Sequence, residues 1–156
     1  MKQPQQGLGM ISAIVILVIL ASLAGAIVSL GSSQHMMSAQ DVMAAKAWQA
    51  SKAGNEWGLY FALKTQTWPS AATTCDTASF GAPIAETLDL TADTGFHVKV
   101  SCESRQYNEG ETAPGVAKTV RIYRITSVAC NAATCPAANA SAAGYVERTR
   151  VVLATN

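Results

Sequence analysis

Apolar residues follow two patterns along this chain. From Met10 to Leu30 the sequence reads MISAIVILVILASLAGAIVSL, interrupted only by Ser12, Ser22, Gly25 and Ser29. At about 1.5 Å per helical residue the run is roughly 30 Å long, the hydrocarbon thickness of a bilayer. The serines fit such a segment, because a helix satisfies its own backbone and a hydroxyl can bond back to the preceding turn. From His35 to Lys64 the pattern becomes a stripe, with Met36, Ala39, Met43, Ala47, Ala50, Gly54, Trp57 and Phe61 recurring every three or four residues on one helical face. Asp41, Lys46, Gln49, Lys52, Asn55 and Glu56 fall mostly off it, so the stripe needs a cover. Its centre, Ala47, Ala50 and Gly54, is small enough for a sheet or a second helix to approach the backbone, with Met43 and Trp57 bracketing the contact.

No proline stands between residues 5 and 68, so Met10–Lys64 is expected as one helix of about 80 Å. Gly31-Ser32-Ser33 is the expected kink, and Trp68-Pro69 the expected stop. Beyond it, residues 70–95 and 131–144 are rich in Ala, Thr, Ser and Gly and read as loops. Three strands are expected. Phe96–Cys102 alternates cleanly, with Phe96, Val98, Val100 and Cys102 on one face. Thr119–Ala129 is rich in β-branched residues, although Arg124 interrupts the alternation begun by Val120 and Ile122 and suggests a bulge or an edge. Tyr145–Ala154 is the last. A long helix followed by successive strands implies an α+β fold, a long N-terminal helix packed on a small antiparallel sheet.

Charge sharpens the division. Of 156 residues, 11 are Lys or Arg and 10 Asp or Glu, 13% in all, where a soluble domain usually carries about 25%. Only Lys2 lies within the first 40 positions. Lys2 and the terminal amine, with no basic residue soon after the apolar run, predict the N-terminus inside and the rest outside. A net charge of +1 with no Lys/Arg cluster excludes nucleic-acid binding by phosphate neutralisation.

Three fates of the N-terminus are open: signal-peptide cleavage after Ala24-Gly25-Ala26, an uncleaved signal anchor, or cleavage before the apolar run, after Gly7. The cysteines Cys75, Cys102, Cys130 and Cys135 allow three pairings, and outside the membrane they are expected as disulfides. Cys75 with Cys102 and Cys130 with Cys135 is the preferred set, the first tying the post-helix loop to the first strand, the second closing the CNAATC loop. Zinc is disfavoured, since His35 and His97 are isolated and the Cys spacing is loose. No nucleophile has a recognisable base, and Glu109 and Glu111 in YNEGETAPG read as a solvated turn between strands, so neither an enzyme nor a cofactor is expected. Glu147, Arg148 and Arg150 are candidates for cross-strand charge pairing with Arg121 or Arg124. Dispersed Trp68, Tyr107 and Tyr123 offer no sugar-stacking platform.

A short basic leader ending in Gly, an immediate apolar helix, an amphipathic continuation and a disulfide-bearing sheet resemble type IV prepilins and the pseudopilins of type II secretion. AWQASKAGNEWGLYFAL (47–63), VKVSCES (98–104), YNEG (107–110), RIYRITSVAC (121–130), CP (135–136) and YVERTRVVL (145–153) resemble minor pilin-like biogenesis proteins of the mannose-sensitive haemagglutinin (MSHA) pilus. The resemblance implies a leader over 1–7, a hydrophobic helix half over 8–31, an amphipathic half over 32–67 and a periplasmic sheet region over 68–156. It further implies cleavage after Gly7 by a membrane prepilin peptidase, N-methylation of Leu8, an inner-membrane location and assembly with major and minor pilins. Two departures stand out: Leu8 replaces the usual Phe, and Ser12 occupies the fifth mature position, where major pilins carry Glu. A cut after Gly9 puts Ile14 there instead, so neither register supplies a carboxylate. The alternatives are a minor pseudopilin of type II secretion and a membrane-anchored periplasmic binding domain.

Overall fold

The structure is a computed structural model and describes residues 8–156, so the leader and Gly7 lie outside the described residues. Helix α1 runs Leu8–Leu63, and four strands follow: β1 (Ile84–Leu90), β2 (Phe96–Ala113), β3 (Val116–Cys130) and β4 (Glu147–Thr155), with one turn of 3-10 helix at Cys75–Thr77. The chain divides into two compact units, Met1–Asp41 and Val42–Asn156, at a boundary inside α1. The helix continues through Gly31-Ser32-Ser33.

In the second unit the strands form one antiparallel sheet in the order β1-β2-β3-β4, so the expected α+β architecture is the observed one. Alternation gives the sheet a helix-facing side. Phe96, Val98, Val100 and Cys102 of β2 are buried beside Tyr123, Ile125 and Ala129 of β3, with Ile84, Leu88 and Leu90 of β1 and Val152 of β4 packed around them. Onto this side α1 lays Ala47, Ala50, Gly54, Gly58 and Ala62, all buried. The buried face is broader than the sequence stripe and includes two polar residues, Ser51 and Asn55. Asn55, expected off the stripe, is thus inside it. Ser51 tolerates burial because its hydroxyl bonds back to the Trp48 carbonyl (2.9 Å). The side chain of Met36 lies outside the described residues.

Four expectations are corrected. Proline does not end the helix. Thr65 does, in the left-handed region (φ 52°), while the Gln66 N–H bonds the Phe61 carbonyl (2.9 Å) in a Schellman-like cap. Trp68 then folds back, fully buried, with its ring edge-on to Trp57 at 4.9 Å. Second, β1 lies in the stretch read as loop. Its helix-facing row is Ile84, Glu86, Leu88 and Leu90, and Glu86 disguises the alternation. Third, Arg124 breaks nothing: β3 is an interior strand whose inward row is Tyr123, Ile125, Ser127 and Ala129, and Val120, Ile122 and Arg124 share the other face. The register shifts instead between Asn108 and Ala113. Fourth, Tyr107–Ala113 belongs to β2, so the hairpin turns only at Pro114-Gly115, with Gly115 at φ 81°.

Glu86 remains in the sheet because Ser70 meets it, the Ser70 N–H donating to its carboxylate at 2.7 Å. Burial pushes this carboxyl up, but hydrogen bonds from the Ser70 hydroxyl and N–H and from the Thr87 backbone outweigh it and hold the group below its ordinary range. The Thr91 hydroxyl and then its N–H depress Asp89 likewise. A carboxyl depressed on folding stabilises the protein above its unfolded value, near 4.3 for Glu, and loses that contribution as pH falls through the folded value. A pH series of unfolding midpoints is expected to show the parent losing stability more steeply than Glu86→Gln between about pH 5 and pH 3. Parallel curves contradict the assignment.

Candidate functional site

Three features could carry function: the apolar helix half, the packing face of α1 and the disulfide-bearing end of the sheet. Helix α1 begins at Leu8, and Gly9–Val28 has a mean hydropathy of 2.9 with none of it buried. Those residues are long and apolar enough to span a membrane once as a helix. Ser22 returns its hydroxyl to the Ile19 carbonyl at 2.8 Å, as a helix in lipid requires. Ser12 stands within this exposed stretch, one turn past the start of the helix.

On the packing face, Ala47, Ala50 and Gly54 are buried, and Met43 and Trp57 are partly so and packed against the core. Gly58, Ser51 and Ala62 had no sequence signal as members of it, being small residues in a helix where small residues are common.

Both disulfides form as Cys75–Cys102 and Cys130–Cys135, with Cα atoms 5.9 and 5.6 Å apart. The first pins the 3-10 turn against β2, and a polar clamp completes the attachment. Ser104 donates its hydroxyl to the Cys75 carbonyl (2.9 Å) and its N–H to the Ala78 carbonyl (3.0 Å). Arg121 donates to the Asp76 carbonyl at 2.9 Å, and the Tyr123 hydroxyl donates to the Asp76 carboxylate at 2.7 Å. Burial, then that carboxylate, raises the Tyr123 phenol above its usual range, so it stays a donor at any physiological pH. No sequence signal marked Asp76 or Ser104, since their partners lie 47 and 29 residues away.

The charged residues singled out in sequence have other partners. Arg124 pairs with Glu103 and Arg121 with Asp76, while Glu147 accepts the Tyr145 hydroxyl, so none forms the cross-strand pair considered between β4 and β3. Glu109 is held by Lys118 at 3.3 Å, and Glu111 accepts the Gly115 N–H at 3.2 Å, so both brace the hairpin end. His97 lies 3.7 Å from Asp89 at the sheet rim. Among the described residues no three His, Cys, Asp or Glu side chains converge as a metal site would require. A shallow hollow of about 250 Å³ borders Asn131, Asn139 and Tyr145. Its polar groups are largely spent internally, as where Asn131 bonds the Gly144 carbonyl and the Val146 N–H. Comparison with protein-family models, curated proteins and solved structures returns no match for this chain.

Proposed function

We propose that this chain is a minor pilin-like subunit of the MshP type, needed to initiate or tip an MSHA-type type IV pilus. The observation that most supports this reading is α1 itself: one helix, Leu8–Leu63, supplies a bilayer-length exposed apolar segment and then a small-residue face packed on a disulfide-bearing antiparallel sheet. In this reading Gly9–Val28 anchors the subunit in the inner membrane before assembly, residues 42–156 lie in the periplasm, and a prepilin peptidase cuts after Gly7 and leaves methylated Leu8. The partners are the other major and minor pilins of the same assembly.

Ser12 carries the argument for the tip. A charge in a bilayer or a helix-packed core is costly unless paired, and pilin-like filaments are thought to pair the Glu at the fifth position with a neighbouring terminal amine. A subunit with serine there gives up that pairing and fits best where nothing lies above it.

Deleting the gene is expected to abolish surface pili, and complementation with Gly7→Val to fail while the parent chain restores them. Mass spectrometry of the restored protein should find an N-methylated Leu8. Normal piliation after deletion overturns the reading, and lost protein secretion with pili intact would assign the subunit to type II secretion. A Ser12→Glu protein spread along the shaft with assembly unchanged would overturn the tip position alone.

A further inference from the structure

The two edges of the sheet are finished differently. At β1 the outer edge is engaged at one point, where Ser70 donates its hydroxyl to the Ala85 carbonyl at 2.9 Å and its N–H to the Glu86 carboxylate. Past the end of β1, Ser79 bridges to Ser104 and covers β2 at that point, while among the described residues no segment bridges to residues 105–113 of β2 on that side. Strand β4 pairs with β3 on one side, and among the described residues no segment bridges to its other side. An open edge offers a row of N–H and C=O groups to another strand.

The side chains flanking this edge are sorted by face. Val151 and Leu153 point away from the helix and are 57% and 64% exposed. Arg148 and Arg150 lie on the other face, two residues apart. Neither has a carboxylate partner among the described residues. Arg148 donates to the neighbouring Glu147 carbonyl, and Arg150 lies over the half-exposed ring of Trp48 at 4.2 Å. Of the other sheet arginines, Arg121 and Arg124 are ion-paired, and Arg105 lies over the Tyr107 ring at 5.4 Å.

We propose that the β4 edge is a strand-docking site for an extended segment of another protein that alternates acidic and apolar side chains. Because a strand alternates with period two, a segment paired beside β4 places one row opposite Arg148 and Arg150 and the other beside Val151 and Leu153. Carboxylates satisfy the first row and aliphatic side chains cover the second. A second copy of this chain fits poorly through β4, since its own β4 brings further arginines to the contact.

The probe is an N-acetylated nine-residue peptide alternating glutamate and valine, titrated into the full chain in detergent micelles at low salt. It is expected to bind and to slow amide exchange at residues 147–155. Arg148→Glu should weaken binding roughly threefold or more, as expected for reversing one cross-strand charge pair, and Leu153→Lys should weaken it independently. Both sites are exposed, and unchanged unfolding midpoints will show that the variants remain folded. Four outcomes overturn the proposal: no binding, equal binding when lysine replaces glutamate, equal binding of a peptide N-methylated along its edge, or peptide-free protection of 147–155 that rises with protein concentration, which would make a second copy the occupant.

Discussion

Replacing Gly54 with alanine is expected to destabilise the helix–sheet unit by about 1 kcal/mol, and with valine by about 3 kcal/mol, despite the better helix propensity of both residues. The reason is distance. A Cβ at Gly54 would lie 2.6 Å from Val98 Cγ1 and 3.1 Å from Val100 Cγ2, and closer still to Ser127 Oγ; at Gly58 it would lie 2.6 Å from Ile125 Cγ2 and 2.9 Å from Val100 Cγ1. Carbon atoms in good contact sit about 3.5–4.0 Å apart, so something must move. Val98, Val100 and Ile125 are fully buried β-branched residues with restricted χ1, and Ser127 is buried among them. Relief must come from lifting the helix, which loosens every contact along the face. Alanine gains about 1 kcal/mol of propensity over glycine, while overpacking costs about 1–3 kcal/mol, so the packing cost dominates. Because both positions press on Val100, the Gly54→Ala and Gly58→Ala costs should sum to more than the double variant shows. Ser127→Ala is the rescue: its hydroxyl is the atom nearest the new Cβ and is buried without a hydrogen-bond partner among the described residues. Alone it should be neutral or stabilise by up to about 1 kcal/mol, and it should recover part of the Gly54→Ala loss. Urea unfolding followed through tryptophan fluorescence, with Trp68 buried beside Trp57, measures each variant. A Gly54→Ala protein at least as stable as the parent would show that the helix does not lie this close to the sheet.

What the sequence disclosed and what it concealed have a common physical basis. Periodicity reports which side chains avoid water, so the apolar half of α1 and the Ala47/Ala50/Gly54 face were legible, as was the inward row of β2 from Phe96 to Cys102. Polar residues satisfied by distant partners break that signal. Glu86 made β1 read as loop because its partner, Ser70, lies 16 residues earlier. Asn55 was placed off the stripe and Ser51 gave no signal, although both are buried. Arg124 looked misplaced because Val120 and Ile122 were assigned to the core, whereas the core side of β3 contains the less conspicuous Ser127 and Ala129. The helix stop was missed for a different reason: Thr65 adopts a conformation usually left to glycine, and nothing in its side chain announces it. The open β4 edge could not be read at all, since an edge is defined by what fails to pair.

Removing the Cys75–Cys102 bridge by a paired Cys→Ser exchange is expected to cost about 3.5 kcal/mol, and removing Cys130–Cys135 about 2 kcal/mol. The ranking follows from loop length. The first bridge closes a separation of 27 residues and the second a separation of 5, and the unfolded chain regains more freedom from the longer loop. Packing widens the gap. Cys75 and Cys102 are both fully buried, and the turn they fix presents Asp76 to Tyr123 and Arg121, and the Cys75 and Ala78 carbonyls to Ser104. Once the bridge is gone, those four side chains must order the turn by themselves, so Tyr123→Phe should cost more in the Cys75→Ser/Cys102→Ser background than in the parent. Against a typical total of about 5–15 kcal/mol, losing the first bridge takes a large share of the stability and losing the second a smaller one. Urea midpoints of the two paired variants, read beside the parent under oxidising and reducing conditions, decide the matter. Equal losses would refute the loop-length ranking, and a Cys75→Ser/Cys102→Ser protein as stable as the parent would show that the clamp holds the turn without the bond.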